Sequence, residues 1–418
     1  MNKGVLMEET EERIIEILWQ YLSNTYVRNL IYDKRWERKF SKMPYLERFI
    51  ENKPFPPFEV EIQVSSNCNL NCAWCIAKEI ENNPSVLRLP DYLNIQNIQK
   101  IVDDILNFQI GGLKVEIIKF SGFSGEPLLE RETTLNAIQR LNGAGRAVGL
   151  FTNGILMGEE TWDTLANVYY INISLDAGPR TFNLLKYRNK KVFKNNFQQI
   201  INNIKGLDRV RKQRESRMQL GISYVVVPDN YWEVYETTRL VKEAGADSIR
   251  FKCDIGGNMD LSKDKNILDE AFELLEKTKN DFNSDDFSVI LIHSKKDVED
   301  KSYELWKKAA GCNYHNFLAT IGSNGELYLC DHNTMPGSVS FGSAINTKFE
   351  ELWFGNSRGY MTQGVEYLCN STVCPPFGNA TNFFLDKLKT LTREFGPEEV
   401  IRALRIIRER LEAEAINT

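Results

Sequence analysis

Three of the eight cysteines in this 418-residue chain fall within eight residues, in Cys68-Asn69-Leu70-Asn71-Cys72-Ala73-Trp74-Cys75. Thiolates are soft donors, and crowding them at a C-x3-C-x2-C spacing serves metal chemistry better than packing. A zinc site wants four ligands, often as two separated pairs. A [4Fe–4S] cube has four corners, each taking a thiolate. The loop supplies three and no local fourth, so one iron is left open to something that is not protein. A zinc site completed from elsewhere, or chance, are the bland readings of the same trio. Four more cysteines, Cys312, Cys330, Cys369 and Cys374, form a loose second set, and Cys253 stands alone.

The elements around these residues must position them. The trio follows Glu59-Val60-Glu61-Ile62-Gln63-Val64, whose strict alternation predicts a strand over 60–65. Further strands are expected over 115–121, 148–152, 169–175, 220–226 and 248–251. Helical patterns lie between them at 95–106, 134–141, 162–165, 197–204 and 234–244. Strand and helix in alternation mean βα units and a parallel sheet, and six units predict a partial (β/α)6 barrel of TIM type. No Gly-x-Gly-x-x-Gly follows the first strand, so a dinucleotide-binding start is unsupported.

The expected organisation is a helical N-terminal extension and linker (1–57, ending in Pro54-Phe55-Pro56-Pro57) and the barrel core (58–255). A bridging segment (256–310), a Cys-rich segment of short β-hairpins and helices (311–377) and a C-terminal helix (378–418) complete it. With 52 basic and 57 acidic residues interspersed, the net charge of −5 gives no support for nucleic acid or an anionic membrane as a partner. The basic run from Lys186 to Lys194 reads as solvated surface. No run of eighteen apolar residues exists, and the N-terminus turns acidic before a signal peptide could form, so a cytoplasmic location is expected.

The cysteine loop resembles the signature of the radical S-adenosylmethionine (radical SAM) enzymes, including an aromatic residue, Trp74, before the last cysteine. The resemblance implies that Cys68, Cys72 and Cys75 bind a [4Fe–4S] cluster whose open iron is chelated by S-adenosyl-L-methionine. Further stretches are similar to the family's cofactor contacts. Phe120-Ser121-Gly122-Phe123-Ser124-Gly125-Glu126-Pro127 resembles the Gly-Gly-Glu-Pro element that receives the cofactor ammonium, with Ser124 in place of the first glycine. Thr152-Asn153-Gly154 closes the third strand, and Ser174-Leu175-Asp176 closes the fourth with the polar pair aimed at ribose and carboxylate. Arg188 falls where relatives hold an arginine against the carboxylate. Each of these taken singly is also an ordinary turn or cap.

The second set, with Gly325 between Cys312 and Cys330 and then Cys369-x4-Cys374, resembles the SPASM or shortened twitch extension that carries auxiliary clusters. Four cysteines suffice for one auxiliary [4Fe–4S] cluster; a structural zinc ribbon would use the same ligands. Cys253 ends the sixth strand, and two roles are open to it: a small buried hydrophobe, or a thiol that returns a hydrogen atom to a substrate radical, as in certain epimerases of the family.

The family resemblance implies a one-electron reductant such as flavodoxin or ferredoxin, a 5′-deoxyadenosyl radical, and hydrogen abstraction from an unactivated carbon. The expected substrate is a small polar molecule, sugar- or aminocyclitol-like, undergoing dehydrogenation or epimerisation. A maturase acting on a ribosomally made peptide, and a non-enzymatic zinc or iron–sulfur scaffold, are the competing readings.

Overall fold

The computed structural model describes residues 3–32, 40–75, 92–122, 125–187, 195–254, 259–299, 312–331, 334, 338–363 and 376–416. Ser124, Arg188, Cys369 and Cys374 lie outside these residues.

Nine strands form one sheet: β1 (Glu59–Gln63), β2 (Ile117–Ser121), β3 (Ala147–Thr152), β4 (Tyr170–Ser174), β5 (Gln219–Val226), β6 (Ser248–Cys253), β7 (Ser288–Leu291), β8 (Leu318–Ile321) and β9 (Leu327–Tyr328). Their order is β9-β8-β1-β2-β3-β4-β5-β6-β7. Every neighbouring pair is parallel except β8–β9. The six expected strands are all present and adjacent, and the sheet does not close, as a partial barrel requires. It also runs further than six units. A strand of the bridging segment, β7, extends it on one side, and the hairpin foreseen in the Cys-rich segment extends it on the other, β8 pairing in parallel with β1.

One face of this sheet is apolar. Val60, Ile62, Val64, Ile118, Phe120, Val148, Leu150, Ile171, Ile173, Leu220 and Ile222 pack in a common core with helices α4 (Ile95–Asn107), α5 (Arg131–Gly143), α6 (Glu159–Leu165), α7 (Phe182–Tyr187), α8 (Asn196–Gln213), α9 (Val234–Ala244) and α10 (Lys265–Phe282). The caps are those the sequence writes: Asn94 accepts from the Asn97 amide, Asn195 from that of Gln198, and Gly245 ends α9 at φ +100°.

A second core lies at the opposite end of the strands from the cysteine loop. The N-terminal helices α1 (Lys3–Trp19), α2 (Thr25–Ile31) and α3 (Met43–Ile50) pack against two C-terminal helices, Pro376–Phe395 and Pro397–Ile416. This bundle gathers Ile117 and Ala147, the first residues of β2 and β3, and Phe317, just before β8. The N-terminal extension is therefore a floor beneath the barrel. Its linker is packed rather than free: Phe55 is buried, and Trp353 Nε1 donates to its carbonyl at 2.9 Å. Arg402–Glu11, Arg405–Glu47 and Arg28–Glu414 ion pairs stitch the two ends of the chain together on the outside.

Candidate active site at the strand ends

The cysteine loop leaves β1 at Ser65 and is fastened at three places. Asn71 N donates to Lys186 O and Ala73 N to Leu185 O, both at 2.8 Å, so the carbonyls at the end of α7 hold its middle. Glu126 N donates to Asn67 O at 2.8 Å, docking the loop after β2 against it. That approach needs Gly125: a Cβ there would stand 2.0 Å from the Ser65 carbonyl oxygen. Asn153 reaches over from β3, its Nδ2 2.7 Å from Asn69 Oδ1 and 3.9 Å from Cys68 Sγ.

Glu126, 1% exposed, is the hub of this end. Its Oε1 accepts from Leu128 N at 3.0 Å and Thr152 Oγ1 at 2.7 Å, and its Oε2 from Asn153 N at 2.7 Å. Burial raises its carboxyl above the usual range, against the pull of these donors and of Lys186. In this arrangement Glu126 ties β2 to β3, and one lone pair on Oε2 is left for a further donor.

At the end of β4, Ser174 offers its carbonyl and Asp176 its carboxylate to one partner, the Lys186 ammonium, each at 2.9 Å. Asp176 sits at φ +54°, and its Oδ1 accepts from Val225 N at 3.1 Å. Lys186 is 1% exposed, which corrects the reading of the 186–194 run as solvated surface at its first residue; 188–194 lie outside the described residues. Burial works against its charge, but Asp176 and Cys72 together lift it above the ordinary lysine value. Its Nζ lies 5.8 Å from the centre of the Trp74 ring.

Desolvation, joined by the charges of Glu126, Cys72 and Cys75, holds the Cys68 thiol up to about 11 although Cys68 reaches solvent. Metal binding must therefore displace protons. Among the described residues no three His, Cys, Asp or Glu side chains converge into a closed metal cage. The donor set of the loop nevertheless fits an iron–sulfur cluster: three soft thiols, electrostatically coupled to one another, beside a buried cation.

The other face of the sheet, turned away from the helices, carries polar and charged side chains that belong to no cofactor or metal motif. Across β8, β1 and β2, Thr320, Glu61 and Lys119 stand in register. Lys119 pairs with Glu61 and with Glu59, the latter at 3.3 Å, and Ser121 Oγ donates to Glu61. Further round, Arg250 donates to Asn172 Oδ1 and Asn172 to Ser223 Oγ, both at 2.8 Å. Glu61 is 2% exposed, and Gln63 Nε2 and Thr320 Oγ1 are buried with no hydrogen-bond partner among the described residues. The sequence did signal this wall: in a sheet covered by helices, the alternation Glu-Val-Glu-Ile-Gln-Val puts polar side chains into an enclosed interior.

Cys253 does not share that wall. Its register partner is Val226, and it groups with Ile249 and Phe251 in the helix-facing core, whereas Arg250 pairs with Ser223 on the interior face. Its location is that of the small buried hydrophobe rather than of a donor to an interior radical. Cys312 and Cys330 lie at the far end of the strands: Cys312 precedes β8, and antiparallel β9 carries the chain back toward the start of β8 before Cys330. Tyr314, two residues past Cys312, feels Glu59, Lys119 and Asp331, so Cys312 approaches the same polar interior. With β1 of five residues between them, at about 3.3 Å per residue, the cysteine trio and the Cys312–Cys330 pair lie at opposite ends of the interior.

An open parallel half-barrel whose first strand feeds a three-cysteine loop is the arrangement that the resemblance to the radical SAM enzymes implies. Residues 62–250 match the Radical SAM superfamily profile, so the chain carries a radical SAM domain. Similar curated proteins include the GTP 3',8-cyclase of Staphylococcus carnosus, 25% identical over 341 residues (71% of this chain, 88% of that one). That of Staphylococcus saprophyticus is 29% identical over 153 residues, and there the match spans 35% of this chain and 42% of the relative. Two solved structures share the fold. The anSMEcpe protein with bound AdoMet has TM-score 0.52 and 18% identity, over 86% of this chain and 98% of that one. Streptococcus suis SuiB bound to precursor peptide SuiA has TM-score 0.51 and 16% identity, over 75% and 67%. Among the described residues no helix is long and apolar enough to cross a membrane.

Proposed function

We propose that this chain is a radical SAM oxidoreductase that removes hydrogen from an unactivated C–H of a small polar molecule held on the inner wall of the barrel. An auxiliary [4Fe–4S] cluster sits at the opposite mouth. The observation that carries this reading is the charged interior between the cysteine trio and the Cys312–Cys330 pair, in a place where a barrel needing only stability would be filled with branched apolar side chains. When bound, the cluster and cofactor supply a 5′-deoxyadenosyl radical. Cys68, Cys72 and Cys75 hold the cluster, while Gly125, Glu126, Asn153, Ser174 and Asp176 border the cofactor's position. Cys312 and Cys330, with Cys369 and Cys374, are the ligands for the auxiliary cluster of a SPASM- or twitch-like segment.

The wall can orient a substrate: Glu61 accepts, Gln63 and Thr320 donate, and burial makes each contact count for more than in water. A sugar- or aminocyclitol-like molecule fits these groups, and so does a nucleotide of the kind named in the cyclase relatives. Peptide maturation has the SuiB fold in its favour, which is fold alone. Helix-facing Cys253 favours net dehydrogenation over epimerisation. A reducible cluster at the far mouth would accept the substrate radical's electron.

Anaerobically reconstituted chain should carry about eight irons and cleave S-adenosylmethionine reductively to 5′-deoxyadenosine. Deuterium from a perdeuterated amino sugar or from ribose-deuterated GTP should appear in that product. Transfer from a labelled peptide and from neither small molecule would overturn the small-substrate reading.

A further inference from the structure

Lys186 is an unusual residue to bury so completely. It closes α7, and the carbonyls of Leu185 and Lys186 hold the amides of Ala73 and Asn71 on the cysteine loop. Its side chain then turns back across the end of β4. Of the three ammonium protons, one goes to Ser174 O and one to Asp176 Oδ2, both at 2.9 Å. Cys72 lies between the two loop amides that the end of α7 fastens, and the Lys186 Nζ stands 5.8 Å from the centre of the Trp74 ring, so the ammonium charge faces the segment that carries Cys72. Asp176 cannot swing away, because Val225 N fixes its Oδ1 and Asn230 Nδ2 its carbonyl, each at 3.1 Å. A cation is thus clamped beside the Cys72 segment from two sides.

We propose that Lys186 sets the reduction potential of the cluster on the cysteine loop through its buried ammonium charge, which Asp176 and Ser174 clamp beside the Cys72 segment. The proposal rests on the trio being the cluster ligands. One electron from an external donor of flavodoxin or ferredoxin type adds one negative charge to the cluster and breaks no bond. A fixed ammonium beside the ligand loop stabilises that added charge, and local net charge is an established determinant of such potentials. Burial keeps the interaction strong. Asp176 is the counterweight, an anion one hydrogen bond further out. Glu126, which also acts on Lys186 and on Cys68, is a constant background in every variant below.

The pair gives the test its sign. Full-length protein is reconstituted anaerobically, and the cluster whose EPR signal changes on adding S-adenosylmethionine is titrated without that cofactor. Lys186→Met should shift its midpoint to more negative potential, Asp176→Asn to more positive, and Lys186→Arg should stay near the parent. Equal potentials for the parent and Lys186→Met at equal iron content overturn the proposal, as do shifts of the same sign in Lys186→Met and Asp176→Asn. If Lys186→Met does not assemble its cluster, Asp176→Asn decides: an unchanged or lowered midpoint overturns it. Failure of the trio as ligands would show separately, as a parent protein with no cofactor-sensitive signal.

Discussion

Where the strands end at the cysteine loop, Glu126, Asn153, Asp176 and Lys186 are all buried, and each is held by several hydrogen bonds. Where the strands begin, Leu18, Leu46, Phe384, Leu388, Leu404 and Ile407 fill the space between the sheet and the floor bundle with hydrocarbon. Buried polar groups repay little net stability, since hydrogen bonds to water are exchanged for hydrogen bonds to protein. Buried hydrocarbon repays about 25 cal/mol per Å². One end thus spends its burial on placing charges and the other on holding the fold, so mutations at the two ends should fail differently.

The sharpest separation comes from the trio. Alanine at Cys68, Cys72 or Cys75 should abolish formation of 5′-deoxyadenosine and halve the iron content, while urea unfolding of the metal-free protein stays close to the parent. Leu404→Ala, in the floor, should do the reverse. It should cost about 3 kcal/mol in urea unfolding, with reductive cleavage per folded, loaded molecule unchanged. If Leu404→Ala abolished cleavage in loaded protein, the two ends would be coupled and the comparison would break.

Glu126→Gln places an amide where Asn153 N, Leu128 N and Thr152 Oγ1 all need an acceptor. The expected loss is about 1–3 kcal/mol, together with weaker cofactor binding, read by unfolding and by equilibrium dialysis. A smaller effect tests the floor's edge. Burial, and then the charges of Arg358 and Lys389, hold His315 down to about 3. The unfolded chain, near the ordinary histidine value, takes up that proton first. Stability from a neutral His315 is therefore present at neutral pH and falls away as pH drops from about 6.5 towards 3. His315→Gln should flatten the fall in urea midpoint between pH 7.5 and pH 5. A parent and variant with parallel profiles would remove His315 as the cause.

The element pattern was legible because helix and strand periods differ so plainly: α9 begins and ends where its apolar spacing says. The metal loop was legible because three cysteines in eight residues have few other uses. Lys186 was not, since a lysine opening a basic run looks solvated until Asp176 and Cys72 are seen to surround it. Cys253 kept two roles in the sequence because its place at the end of a strand was visible, while the face it shares with Val226 depends on register. The polar wall was written in the Glu59–Gln63 alternation. It could be read as an interior only once helices were known to cover the other face.

The floor has a temporal consequence. Leu18 on α1 and Leu404 on the last helix belong to the same core although some 386 residues of chain separate them. During synthesis α1 must therefore wait, its apolar stripe uncovered, until the helix that carries Leu404 has left the ribosome. The sheet can form meanwhile from neighbouring βα units, so maturation ends by sealing the base.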